Sequence, residues 1–183
     1  DDQQAMKLAH SKGSSSAAII PENDPSYTRV DVTSTRSIDV AFKGAGLIDS
    51  ILTDGRTTLQ LSAPNKPDAA NKRVTADSVK AAFGANGKDL SKAEAVGNAE
   101  LYVEPLNAAP KNYKTTITAS RFDCDFFAGN EAKTCVAGRK AHAERVPTVT
   151  QGAHGNQVLV GDQMTARFGE VSHDAEVLEA VEN

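Results

Sequence analysis

The sequence predicts an all-β fold: an antiparallel sheet, folded over on itself, built from about four hairpin repeats of about 42 residues. Three observations predict it. ADSVKAAFGANGKDLSKAEAVGN (Ala76 to Asn98) and GDQMTARFGEVSHDAEVLEAVEN (Gly161 to Asn183) align without a gap at an offset of 85 residues. Phenylalanines recur at Phe42, Phe83, Phe126 and Phe168, in steps of 41, 43 and 42. Before each of them apolar residues alternate with a period of two, the signature of a strand with one covered face.

Taken in order, residues 1–16 read as a linker or a partial strand, with SKGSSS as a flexible stretch. The repeat domain is placed at 17–183 and is expected to be truncated at both ends, because the closing AVEN echoes the interior AVGN. The segment from Ala17 (AAIIPENDPSYTRVDVTSTRSIDVAF) follows the same plan as that from Ala99 (AELYVEPLNAAPKNYKTTITASRFDCDFF). Each has an apolar strand, a Pro-Asn loop, a Thr-rich strand and a closing Phe. In SIDVAF, Ile38, Val40 and Phe42 share one side. ADSVKAAF alone has helical spacing at Val79, Ala82 and Phe83. Its counterparts decide for a strand, with Phe122, Cys124 and Phe126 in one copy and Met164, Ala166 and Phe168 in another.

KGAG, GANGKD and AGNEAK supply the Gly and Asn that hairpin turns need for positive φ. The Gly97-Asn98 step interrupts the alternation and reads as a bulge, beyond which Ala99, Leu101 and Val103 return to the apolar side. The opposite face carries Asp39, Asp77, Lys80, Asp123, Asp125 and Arg167. Exposed apolar surface is unfavourable by roughly 25 cal/mol per Å², so the sheet is expected to fold over its apolar side. The fold then encloses a trough, in which Ala81, Ala93, Ala95 and Ala166 leave room.

Composition excludes several functions. The formal charge of −4 is spread without long basic runs, which argues against a nucleic-acid partner. Tryptophan is absent and aromatics make up 5%, which fits a thin core reused along an extended architecture. No stretch approaches the roughly 18 apolar residues of a membrane helix. His10, His142, His154 and His173 show no metal-ligand spacing, and neither a nucleophile elbow nor a phosphate-binding loop is present. Asp123 and Asp125 of DCD offer too few oxygens for a cation site. No enzyme activity, cofactor or metal is therefore expected.

Cys124 and Cys135 flank the AGN turn at the places that Ala81 and Ala93 hold in the preceding repeat. Facing positions in a hairpin bring Cβ atoms to about 4.5–5.5 Å. Two readings are open: a disulfide, implying an oxidising compartment, or two buried thiols acting as small apolar residues.

TADSVKAAF (Thr75 to Phe83) with AEAVGNAEL (Ala93 to Leu101), and GDQMTARF (Gly161 to Phe168) with LEAVEN (Leu178 to Asn183), together resemble the OstA-like family of lipopolysaccharide-transport proteins. That family comprises LptA, LptC and the N-terminal domain of LptD. The resemblance implies a β-jellyroll that carries lipid A acyl chains in a hydrophobic groove across the periplasm, joined edge to edge with other jellyroll modules or with itself. By matched position the groove would be lined by Ile38, Val40, Phe42, Val79, Phe83, Leu101, Phe122, Phe126, Met164 and Phe168. Sugar phosphates would lie at a polar rim near Lys43, Lys88 or Arg139. A structural β-repeat scaffold with a filled core is the alternative expectation; a polysaccharide-acting enzyme lacks a convincing acid pair.

Overall fold

The computed structural model describes residues 6–20, 27–44, 46–67, 69–150, 155–170 and 175–181. They form one open antiparallel sheet of 13 strands. The strands are β1 (Leu8–Lys12), β2 (Ser15–Ile19), β3 (Arg29–Ser34), β4 (Ser37–Lys43), β5 (Leu47–Asp54), β6 (Thr57–Ser62), β7 (Ala70–Ala76), β8 (Ser78–Phe83), β9 (Leu90–Pro105), β10 (Tyr113–Phe126), β11 (Ala132–Pro147), β12 (Gln157–Phe168) and β13 (Ala175–Val181). The fold is all-β and jellyroll-like. The one helical element among the described residues is a 3-10 turn at Ala128–Asn130.

The strand order β1-β4-β5-β8-β9-β10-β11-β12-β13, with β2-β3-β6-β7 joining the other half of β9, describes a meander of long strands that each bend once. In the first four long strands the bend splits them into β1/β2, β3/β4, β5/β6 and β7/β8. In β9 to β12 the strand runs through, with shifted register at Ala119/Arg121 and Gly138/Ala141. The bends line up as a crease that divides the sheet into two leaves. The first leaf contains β1, β4, β5, β8, the first half of β9 and the second half of β10. The second contains β2, β3, β6, β7 and the complementary halves.

Backbone chemistry marks the crease. Gly13, Gly55, Gly97 and Arg139 all have positive φ, at equal steps of 42 residues. Gly97 is followed by Asn98 (φ 46°), and Arg139 (φ 60°) by Lys140 (φ 59°). Glycine adopts this region freely, but other L-residues pay about 1 kcal/mol or more each. The Gly-Asn pair in β9 is thus favourable where the Arg-Lys pair in β11 is strained. The interruption expected at Gly97-Asn98 as a bulge is this crease.

The sheet begins earlier than the domain boundary drawn at Ala17, which falls inside β2. Leu8–Lys12 pairs with β4 from Leu8↔Ala41 to Lys12↔Ser37. This strand is short and polar (LAHSK), so its alternation carries almost no hydrophobic signal, and pairing to β4 supplies its order.

Two buried clusters straddle the crease. One contains Ala76, Val79, Ala95 and Ala99 with Leu59, Val74 and Phe122 packed on it. The other contains Ala119, Ala137, Ala141 and Met164 with Ile117, Phe122, Ala143 and Leu159. Small side chains let the leaves approach here. In the N-terminal part the same positions are polar: Ser34, Thr53 and Thr57 are buried, and their hydroxyls bond locally. Buried hydroxyls require such partners.

Candidate functional site

Pairing register assigns every inward residue to a row across the sheet. Next to the crease on the first leaf run Ser11, Ile38, Thr53, Val79, Ala95, Phe122, Ala137, Met164 and Ala180. Beyond it run Ala9, Val40, Ile51, Ala81, Ala93, Cys124, Cys135, Ala166 and Leu178. The outermost row, at the lip, holds Phe42, Phe83, Phe126 and Phe168. Each of these phenylalanines follows a register shift, and they pair with Ile48, Leu90, Ala132 and Ala175 respectively. The four rings therefore occupy equivalent places along one edge of the first leaf.

The structure brings nine of the ten sequence-predicted lining residues onto this leaf. Ile38, Val79 and Met164 are buried at 5%, 5% and 4% exposure, whereas Val40, Phe42, Phe83, Phe122, Phe126 and Phe168 are half-buried. Burial thus decreases from crease to lip. The tenth residue, Leu101, lies across the crease on the second leaf.

The second leaf supplies a row of which the predicted set held only Leu101: Ala17, Val32, Leu59, Val74, Leu101, Ile117, Ala143 and Leu159. Its next row is mixed, with Ile19, Val30, Leu61, Lys72, Val103, Thr115, Arg145 and Gln157. Lys72 donates to the Tyr27 hydroxyl at 2.9 Å and lies 5.3 Å from its ring centroid. Arg145 lies 4.5 Å from the Tyr113 ring centroid and donates to Gln157 Oε1 at 3.0 Å. One lip is thus aromatic and the other carries cations supported by tyrosines. Counting alternate residues outward from Val74 and Ala143 would have found both cations.

Of the three alternatives for a polar rim, Lys43 and Lys88 lie near the aromatic lip and Arg139 does not. Lys43 bonds Asp49 at 3.2 Å and the Phe83 carbonyl at 3.1 Å, at the aromatic lip. Lys88 follows in the β8–β9 turn, where its N–H bonds Asn86 Oδ1 at 3.0 Å. Arg139 sits instead at the crease, because the backbone reverses its hand there.

Cys124 and Cys135 are directly opposite in the β10–β11 ladder and are joined as a disulfide, with Cα atoms 4.2 Å apart. The bond lies in the middle row of the first leaf, among alanines.

The outer face is charged. Arg121 holds Asp123 at 2.6 Å and Glu94 at 3.3 Å, Lys92 meets Asp125 at 3.3 Å, and Arg167 meets Glu179 at 3.7 Å. The hydrogen bond and charge of Lys114, 2.8 Å away, hold the Glu104 carboxyl below its ordinary value. Hydrogen bonding from Arg29 likewise lowers Asp31, against a smaller opposing effect of burial. Exposed pairs of this kind contribute little individually.

His10 bonds Asp39 on the outer face; His142 is half-buried in β11. His154 and His173 lie outside the described residues, as does the ENDP loop. Among the described residues no group of three or more His, Cys, Asp or Glu is placed to hold a metal, and no helix is long and apolar enough to cross a membrane. No family model, curated protein or solved structure matches the chain.

Proposed function

We propose that this protein is a non-catalytic lipid-binding and transfer module of the OstA-like kind. In this reading it carries the acyl chains of lipopolysaccharide or a related lipid through the bacterial periplasm toward the outer membrane. The observation that carries the reading is the pair of apolar inner rows flanking the crease, buried next to it and half-buried at the lips. Such a surface holds alkyl chains by area burial alone, at roughly 25 cal/mol per Å². The cationic lip at Lys72 and Arg145 suits an anionic headgroup. The disulfide fits an oxidising compartment.

Edge-to-edge assembly belongs to the same reading. Leu8 at one edge of the sheet and Val158, Val160 and Leu178 at the other are all more than half exposed, and open edges present unpaired backbone groups.

Fluorescent lipid A is the direct probe. The wild type is expected to bind it saturably, and Phe83→Asp with Phe126→Asp together is expected to weaken binding at least tenfold. Absence of saturable binding, or binding unchanged in the folded double variant, would overturn the proposal. The packed clusters at the crease favour one competing reading, a scaffold with a filled interior. That reading predicts exclusion of a fluorescent fatty acid.

A further inference from the structure

We infer that the outer side of the crease is a binding site for a phosphate monoester carried on a small polar body, such as a sugar phosphate. A recess of about 390 Å³ opens there, lined by Arg56, Asn98, Glu100, Ser120, Arg139 and Lys140 among others. It forms where the ladders around β10 lose register, so that Ser120 is paired with neither β9 nor β11.

The charge of the recess is unbalanced. The Glu100 carboxylate is already met by Arg73 at 3.6 Å. Arg56 is fixed by the Asn98 carbonyl at 2.9 Å, Thr75 Oγ1 at 3.0 Å and Asp77 at 3.4 Å. The Arg139 guanidinium and the Lys140 ammonium have no hydrogen-bond or ion-pair partner among the described residues, and both are exposed. Two free cations beside a positioned arginine suit a dianion, and guanidinium groups match phosphate oxygens in pairs. The volume exceeds what a bare phosphate fills. The Asn98 amide donates to Asp77 at 2.9 Å and the Ser120 hydroxyl to the Arg139 carbonyl at 3.0 Å, which leaves their oxygens, with Glu100, as acceptors for hydroxyl groups.

A second observation is independent of the recess. Arg139 and Lys140 occupy consecutive left-handed positions, where β9 has Gly97 and Asn98, 42 residues earlier. The chain accepts unfavourable backbone at the one crease position where two cations result. Retained strain of this kind concentrates at functional sites. The site does not rest on the lipid reading, because it lies at the crease and away from both lips.

The test measures unfolding temperature and calorimetric binding at fixed ionic strength with three probes: inorganic phosphate, glucose 1-phosphate, and vesicles containing phosphatidic acid. The comparison variant is R139G/K140N, which copies the β9 crease. It is expected to unfold at a higher temperature than the wild type while binding phosphate probes at least tenfold more weakly. The control K12N/K80N, with the same charge change elsewhere, is expected to bind as the wild type does. Tighter binding of glucose 1-phosphate than of inorganic phosphate supports a soluble sugar phosphate. Binding confined to vesicles, and lost in R139G/K140N, assigns the phosphate to a lipid headgroup. No saturable response to any probe, or a response that survives in R139G/K140N, overturns the site.

Discussion

The side-chain hydroxyl of Thr53 accepts the backbone N–H of Val79 at 2.8 Å and lies 3.3 Å from the Val79 carbonyl. The β5–β8 ladder ends one residue earlier, at Leu52↔Lys80, so a side chain takes the place of the main-chain partner. Thr57 Oγ1 adds a contact at 2.8 Å. Thr53→Val keeps the shape but leaves a buried donor unsatisfied, for which about 1–3 kcal/mol of stability is expected to be lost. Thr53→Ser is expected to retain most of it. Urea denaturation checks the difference; equal midpoints for the two variants would show that the hydroxyl is idle.

Gly97 lies against Asp77, whose N–H is shared between the Val96 and Gly97 carbonyls at 3.0 and 2.9 Å. A Cβ on Gly97 (φ 80°) would strike the Asp77 side chain, whereas one on Gly13 (φ 83°) would meet nothing within 4 Å. Gly13→Ala therefore carries only the cost of the left-handed backbone, about 1 kcal/mol. Gly97→Ala is expected to lose more than that, read from thermal unfolding. Equal losses would remove steric contact from the account of the crease.

Reducing the Cys124–Cys135 bond releases a short loop of ten intervening residues. On loop entropy its contribution is about 2–3 kcal/mol. The double replacement by alanine reproduces the Ala81–Ala93 pair of the neighbouring hairpin. It is expected to fold and to unfold at a lower temperature, with no further change when reductant is added. Wild-type stability that is insensitive to reductant would contradict the bond.

Acid sensitivity follows from Glu104. Its folded carboxyl titrates below the unfolded one because of Lys114, so the pair contributes stability above the unfolded carboxylate range. That contribution is lost as pH falls through the lowered folded value. Glu104→Gln is expected to show a shallower loss of stability on acidification, and high salt is expected to narrow the difference. Parallel acid profiles at low salt would refute the coupling.

Leu101 and Val96 test the assignment of faces. Leu101 lies in the inner row between Val74 and Ile117, while Val96 is 38% exposed. Leu101→Asp puts a charge on the half-buried inner row and is expected to cost about 1–3 kcal/mol. Val96→Asp is expected to shift stability by less than about 1 kcal/mol. Circular dichroism and melting of the two variants distinguish them, and a reversed order would invert the inner and outer faces.

Much of the first leaf was legible because its inner residues alternate strictly and end on a bulky marker. Ile38, Val40 and Phe42, and likewise Phe122, Cys124 and Phe126, needed only the period of two. The crease was not legible as a fold line. In β9 the inner residues run Ala93, Ala95, Ala99, Leu101, all of one parity, so the bend leaves the alternation in phase. Thr53 and Thr57 hid it further, because threonine reads as ordinary strand composition although here it closes buried hydrogen bonds. Lys72 and Arg145 were missed for a related reason. Long cationic side chains read as outward-facing, yet their stems lie in an inner row and tyrosines support their heads.

The bends also bear on how such a chain tolerates changes of length. A residue gained or lost within a flat strand turns its whole apolar side outward. Along the β4, β8, β10 and β12 series the four lip phenylalanines are unevenly spaced, yet all reach the same lip. Asp77 stands alone at a bend where Thr35 and Arg36 occupy the corresponding place, and the missing residue is absorbed there. The fold line acts as an expansion joint: a one-residue difference between neighbouring strands is taken up at the hinge and leaves the interior lining in alignment.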